Sequence, residues 1–130
     1  MSKAHVLDAS ALLVLVLAEP GSDRILKLLE SGRCVMSAVN YAEVVGKLND
    51  VGMGEEEIVK ILDGLRIHVE PFDHEQARRC GLSRRATRAL GLSLGDRACL
   101  QLAAATGAVA VTADRSWVRA KTGARVEVLR

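Results

Sequence analysis

A chain of 130 residues, 49% apolar and 26% charged, has the size and balance of one globular domain spanning residues 1–130, long enough to bury a sizeable aliphatic core. Eighteen basic against sixteen acidic residues leave a net charge of +2, which excludes a bulk polyanion binder and leaves any nucleic-acid role to local charge patterning. Tyr41, Phe72 and Trp117 are the only aromatic residues, too few for a base-stacking platform. Cys34, Cys80 and Cys99 are widely spaced with no C-x-x-C pair, which argues against a disulfide framework or a zinc knuckle and for a reducing cytoplasm.

In chain order, Val6-Leu7 predicts a short strand ending at Asp8, and Ser10 to Ala18 predicts a helix that is apolar nearly all round and stops at Glu19-Pro20-Gly21. That apolar run is far short of the roughly 20 residues that cross a bilayer, and no basic-then-apolar leader opens the sequence, so a cytosolic protein is expected. A second helix runs from Ser22 to Leu29, with Ile25, Leu28 and Leu29 on one face. Cys34-Val35-Met36 is the next strand, and Ser37 to Val51 a third helix striped by Tyr41, Val44, Val45 and Leu48. Glu55-Glu56-Glu57 opens a fourth helix, with its acids at the positive end of the helix dipole. Ile67-His68-Val69 predicts a third strand. A strongly basic helical stretch follows from Asp73 to about Leu90, with a split expected near Gly81. Ser93 to Thr106 predicts another helix, Val109-Ala110-Val111 a buried strand, and Val126-Glu127-Val128 an edge strand. Strands alternating with helices, joined by connections long enough for crossovers, predict a three-layer α/β/α domain with a mostly parallel sheet of four or five strands.

The chemistry concentrates in carboxylates. Val6-Leu7-Asp8-Ala9-Ser10 and Val111-Thr112-Ala113-Asp114 each pair a hydroxyl with an acid at the carboxyl end of a strand, where open α/β sheets bind their ligands. Asp96 falls in the first turn of the helix feeding the second of these strands, and Glu43 near the start of the third helix. Carboxylates brought together repel, and hard cations such as Mg²⁺ or Mn²⁺ reverse that penalty; the resulting site polarises a phosphate and activates water. Each acid also has a plainer explanation. Asp8 caps a helix, Ser93 and Asp96 form a capping box, Asp114 is a turn residue, and Glu43 pairs with Lys47 four residues on.

Four blocks of sequence together resemble a known family. They are Val6-Leu7-Asp8-Ala9-Ser10-Ala11, Ser37-Ala38-Val39-Asn40-Tyr41-Ala42-Glu43-Val44, Leu92-Ser93-Leu94-Gly95-Asp96-Arg97-Ala98-Cys99-Leu100 and Val111-Thr112-Ala113-Asp114-Arg115-Ser116-Trp117. In order and spacing they are similar to the PIN-domain ribonucleases, and within these to the VapC-type toxins of toxin–antitoxin pairs. The resemblance covers nearly the whole chain. It implies a PIN-like fold and a Mg²⁺- or Mn²⁺-dependent endoribonuclease, with Asp8, Glu43, Asp96 and Asp114 as catalytic acids. Of these, Asp8, Asp96 and Asp114 would hold the metal. Ser10, Asn40 and Thr112 would be polar supports. The resemblance also implies a homodimer and a small antitoxin that blocks the cleft.

Arg78, Arg79, Arg84, Arg85 and Arg88 crowd the stretch before Asp96, and their planar forks suit phosphate oxygens; Arg84, Arg85 and Arg88 are the RNA-binding candidates, against the alternative of a solvated helix face balanced by Asp73 and Glu75. His5, His68 and His74 lack a partner at ligand spacing. Three alternatives stay open: a stand-alone RNA-processing nuclease without an antitoxin, a non-catalytic RNA-binding or scaffolding domain of the same fold, and another α/β domain with acidic metal chemistry, such as a phosphoacceptor receiver or a small phosphatase. The receiver would want a lysine after a late strand, and Lys121 is isolated.

Overall fold

The computed structural model describes residues 3–120 and 122–129, so Lys121 lies outside the described residues. Its centre is a five-stranded sheet in the order β3-β2-β1-β4-β5, formed by β1 (His5–Leu7), β2 (Cys34–Ser37), β3 (His68–Glu70), β4 (Val109–Thr112) and β5 (Arg125–Val128). Every pairing is parallel, which makes the sheet more regular than the sequence pattern requires. Parallel neighbours need crossovers, and the crossovers here are helices on both faces.

The two faces follow from the alternation of side chains along each strand. Leu7, Met36 and Val111 pack on one face with α1 (Ala9–Val16), α2 (Ser22–Glu30), α3 (Ala38–Asp50) and α4 (Glu55–Gly64), which contribute Leu12, Ile25, Leu28, Val44, Leu48, Ile58 and Leu62. Val6 and Ala110, one residue out of step, face the opposite side. There they meet α7 (Leu94–Thr106) through Cys99, Leu100, Leu102 and Ala103, together with Trp117 from a 3₁₀ turn at Arg115–Arg119. The three layers match the expected α/β/α architecture.

Local signals account for most boundaries. Asp8 caps α1 by accepting from the Ala11 N–H at 2.8 Å, so the helix starts one residue earlier than the apolar run suggests. Ser37 ends β2 and caps α3, accepting from Val39 N–H, which leaves Ser37 outside the helix. Ser93 and Asp96 form the expected capping box on α7, and Gly107 (φ 67°) closes that helix in the left-handed conformation. The basic stretch is not one helix. It divides into α5 (His74–Leu82), α6 (Arg84–Thr87) and a 3₁₀ turn at Arg88–Leu90; the break falls at Ser83 rather than Gly81, which stays inside α5. Ser83 Oγ donates to the Cys80 carbonyl at 2.7 Å, a side-chain bond that competes with helix continuation. At the β5 edge, Arg24 grips Glu127 with two bonds of 2.7 and 2.8 Å, tying α2 to the last strand. All three cysteines are buried and free. Among the described residues, no helix is long and apolar enough to cross a membrane.

Trp117 is fully buried in the second cluster and anchors the segment that leaves β4. Replacing it with alanine is expected to destabilise the fold by about 3–5 kcal/mol, read as a lower urea midpoint by circular dichroism.

Candidate active site

The strand order reverses direction between β1 and β4, since the chain winds outward from β1 to β2 and β3, then returns to β4 on the other side. At such a switch point the loops after two neighbouring strands part and leave a crevice at their carboxyl ends. The register sets Leu7 beside Val111, and the Asp8 N–H donates to the Val111 carbonyl at 3.1 Å. Asp8 and Thr112 therefore face each other across the crevice.

The Asp8 carboxylate is only 4% exposed and is held on both oxygens. Oδ1 accepts from Ser10 Oγ and the Ala11 N–H, each at 2.8 Å, and Oδ2 accepts from Thr112 Oγ1 at 2.7 Å. Ser10 Oγ in turn accepts from the Ala113 N–H, and Thr112 Oγ1 from the Asp114 N–H, both at 3.0 Å. Burial pushes the Asp8 carboxyl up to about 6, against the pull of these three donors, and the Asp96 charge adds to the push.

Two more carboxylates close on the same place. A cleft of about 410 Å³ is lined by Asp8, Ser10, Glu43 and Asp96, with Lys47 and Glu19 at its sides and Leu13 and Leu17 as an apolar wall. Glu43 Oε1 accepts from Asn40 Nδ2 at 2.9 Å, and the same amide donates to the Gly95 carbonyl at 3.0 Å. Asp96 Oδ2 accepts from the Ser93 N–H at 2.9 Å within the capping box. Burial pushes the Cys99 thiol well above its ordinary range, and the Asp8, Asp96 and Glu43 charges add to the push. A larger apolar groove of about 620 Å³, lined by Tyr41, Val45, Ile58 and Val59 among others, lies between α3 and α4 and includes none of these acids.

Asp114 stands apart from the three. It is exposed, does not line the cleft, and caps the Arg115–Arg119 turn by accepting from the Ser116 N–H at 2.9 Å. Its link to the site is its backbone N–H on Thr112 Oγ1. Arg84, Arg85 and Arg88 are exposed on α6 and the turn after it, and none lines the cleft, although that turn packs against the Arg115–Arg119 turn. Arg79 pairs with Glu75 at 3.1 Å along α5, as a solvated helix face would. His68 pairs with Glu70 at 2.8 Å.

Sequence reasoning missed Glu19 and the placement of Lys47. Lys47 follows Glu43 by one helical turn, so the spacing that suggested a solvent pair also puts both residues on the cleft. Glu19 reaches it because the chain folds back after α1, where Ala18 has a positive φ of 54° and the Glu19 N–H returns to the Val14 carbonyl; Glu19-Pro20-Gly21 announces a turn but not that it carries Glu19 to the cleft.

The PIN-domain family model matches residues 5–122 of the chain. The chain belongs to the PIN-domain family. PIN domains are nucleases, and known structures share this PIN fold over essentially the full length. The chain is similar to the DNA-bound VapBC of Salmonella typhimurium, with 20% identity, a TM-score of 0.76 and coverage of 99% of this chain and 100% of that one. It is similar also to VapBC2 of Rickettsia felis bound to a promoter DNA fragment, with 18% identity, a TM-score of 0.76 and coverage of 98% and 99%. VapBC-5 of Mycobacterium tuberculosis, a member of the VapBC family of toxin–antitoxin systems, aligns with 20% identity, a TM-score of 0.59 and coverage of 99% of both chains. Among curated proteins, none matches the chain by sequence.

PIN domains generally use divalent metal ions, and the donors present fit one. They are hard oxygens, and the most buried of them is the Asp8 carboxylate, whose burial raises its pKa to about 6, a penalty that a nearby cation would offset. Among the described residues, no three or more His, Cys, Asp or Glu side chains are drawn together closely enough to hold a metal ion by themselves. An open set suits Mg²⁺, which keeps several waters and takes one or two carboxylates together with substrate phosphate.

The sign of the Asp8 shift gives a test on metal-free protein. The folded carboxyl titrates near 6 and the unfolded one near 3.8, so between these values the folded state binds more protons and stability falls as pH rises. Asp8→Asn is expected to flatten that slope and to raise stability at pH 8 by about 1–2 kcal/mol, measured by urea unfolding in the presence of chelator.

Proposed function

We propose that this PIN domain is a Mg²⁺- or Mn²⁺-dependent endoribonuclease and the toxin half of a toxin–antitoxin pair. The observation that carries the enzymatic part is the meeting of Asp8, Glu43 and Asp96, from three separate elements, on one cleft at the switch point. The toxin part is supported by full-length similarity in fold to VapBC structures, together with the four sequence blocks described above.

In this reading Asp8 and Asp96 hold the cation, Glu43 completes the site or orients a water, and Asp114 contributes from the outer edge. The cation, when bound, supplies Lewis acidity toward the scissile phosphate and lowers the pKa of a water. The chain's own residues do the positioning. Ser10, Ala11 and Thr112 fix both oxygens of Asp8, so the carboxylate needs no reorganisation to act as a ligand. Asn40 holds Glu43 Oε1, which steadies at the cleft a carboxylate able to accept a proton from a water. Lys47 supplies a positive charge at the cleft side for a phosphate oxygen, and the Leu13–Leu17 wall limits bulk water on that flank. Arg84, Arg85 and Arg88 lie outside the cleft and would track the RNA backbone beyond the scissile bond, contacts that position a strand without choosing its sequence. The partners in this proposal are RNA, a cognate antitoxin and a second copy of the chain, in the cytoplasm.

Asp8→Asn or Asp96→Asn is expected to lower metal-stimulated RNA cleavage at least about a hundredfold, and Asp114→Asn, which keeps the turn cap, to lower it less. Undiminished cleavage by the Asp8 or Asp96 variant would remove the assignment. Inducible expression is expected to arrest growth. Co-expression of the neighbouring small reading frame should relieve the arrest and Asp8→Asn should abolish it; arrest that persists in the variant argues against nuclease toxicity.

A further inference from the structure

Gly95 occupies a place where its backbone does not require glycine. It sits in the first turn of α7 with a negative φ, and alanine would favour the helix there. What distinguishes it is the space over its Cα. A Cβ at Gly95 would lie 2.5 Å from Glu43 Cδ and 2.6 Å from Glu43 Oε2, closer than real Cβ atoms approach any neighbour, whereas a Cβ at Gly46, Gly54, Gly64 or Gly81 would meet nothing within 4 Å. The Glu43 carboxylate fills the volume that any side chain at position 95 would take.

Asn40 holds the same arrangement from the other side. Its side chain is 1% exposed, and its Nδ2 donates both to Glu43 Oε1 at 2.9 Å and to the Gly95 carbonyl at 3.0 Å. One buried amide thus joins the α3 acid to the backbone immediately before Asp96. We propose that Gly95 is a positioning residue of the cleft: the side chain it lacks is the seat of the Glu43 carboxylate, and with Asn40 it fixes that carboxylate beside Asp96. The consequence for catalysis rests on the reading above, in which these acids bind a divalent cation.

The conflict created by a Cβ falls on the far end of a flexible side chain, not on backbone. Glu43 swings away at little expense to the fold, so Gly95→Ala removes the acid from its place without deleting it. Four proteins test this: wild type, Gly95→Ala, Glu43→Ala and the double variant. Each is measured for Mn²⁺ binding by calorimetry, for metal-free thermal midpoint and for RNA cleavage. Gly95→Ala is expected to fold with a midpoint close to wild type, to bind Mn²⁺ at least about tenfold more weakly, and to lose as much cleavage as Glu43→Ala. In the Glu43→Ala background, where the seat is empty, the same change is expected to alter neither binding nor cleavage and to raise the midpoint by roughly 3 °C. Wild-type Mn²⁺ affinity and cleavage in Gly95→Ala, equal losses in both backgrounds, or a double variant that does not fold would each overturn the proposal. If the wild type binds no Mn²⁺ and cleaves no RNA, the nuclease reading fails and the thermal comparison still decides the positioning: a larger rise in the Glu43→Ala background supports it, and equal changes in the two backgrounds overturn it.

Discussion

The bond from Thr112 Oγ1 to Asp8 Oδ2 joins two residues 104 positions apart and closes the crevice between β1 and β4. A buried carboxylate without partners is costly enough to change its protonation or break the fold, so the surrounding donors are a condition of having an acid there at all. They are supplied by the start of α1 and the end of β4, the two segments that flank a switch point. The strand order and the chemistry at its edge are therefore one constraint. Any arrangement that separated β1 from β4 would strand Asp8 in an apolar interior.

The donors do not fully offset the burial, since the Asp8 carboxyl still titrates well above its ordinary range. The metal-free fold carries that residual expense at the centre of its sheet. A cation in the cleft would relieve it and so couple ion binding to stability. The other acids are held by lighter means. Asp96 has one oxygen engaged in its own helix cap, and Glu43 is steered by a single amide from Asn40. The number of donors thus falls off from Asp8 outward, from three at the sheet to one each on Asp96 and Glu43.

Much of this was legible in the sequence, because the signals were local. The Val6-Leu7-Asp8-Ala9-Ser10 block contains its own strand, cap and hydroxyl support, and the Ser93–Asp96 capping box depends on residues three apart. Periodicity placed the core faces of α2, α3 and α4 because their stripes are regular. What was not legible depended on the packing of distant elements. Asp114 repeats the motif of Asp8, and its place in a turn is legible too, but neither signal tells that its carboxylate is not among those lining the cleft. The role of Gly95 could not be read either, since a glycine in a helix has no sequence mark that says which side chain fills its gap.

The distance in sequence between Asp8 and Thr112 has a consequence for how the protein is made. The first strand is synthesised long before its parallel partner β4. Non-local pairing of this kind forms late, after long loops have closed. Until β4 docks, Asp8 lacks its Oδ2 donor, and Ser10 lacks the Ala113 N–H. A chain cut short near the end of α7 has Asp8, Glu43 and Asp96 but lacks the segment around β4 that supplies two of their supporting bonds.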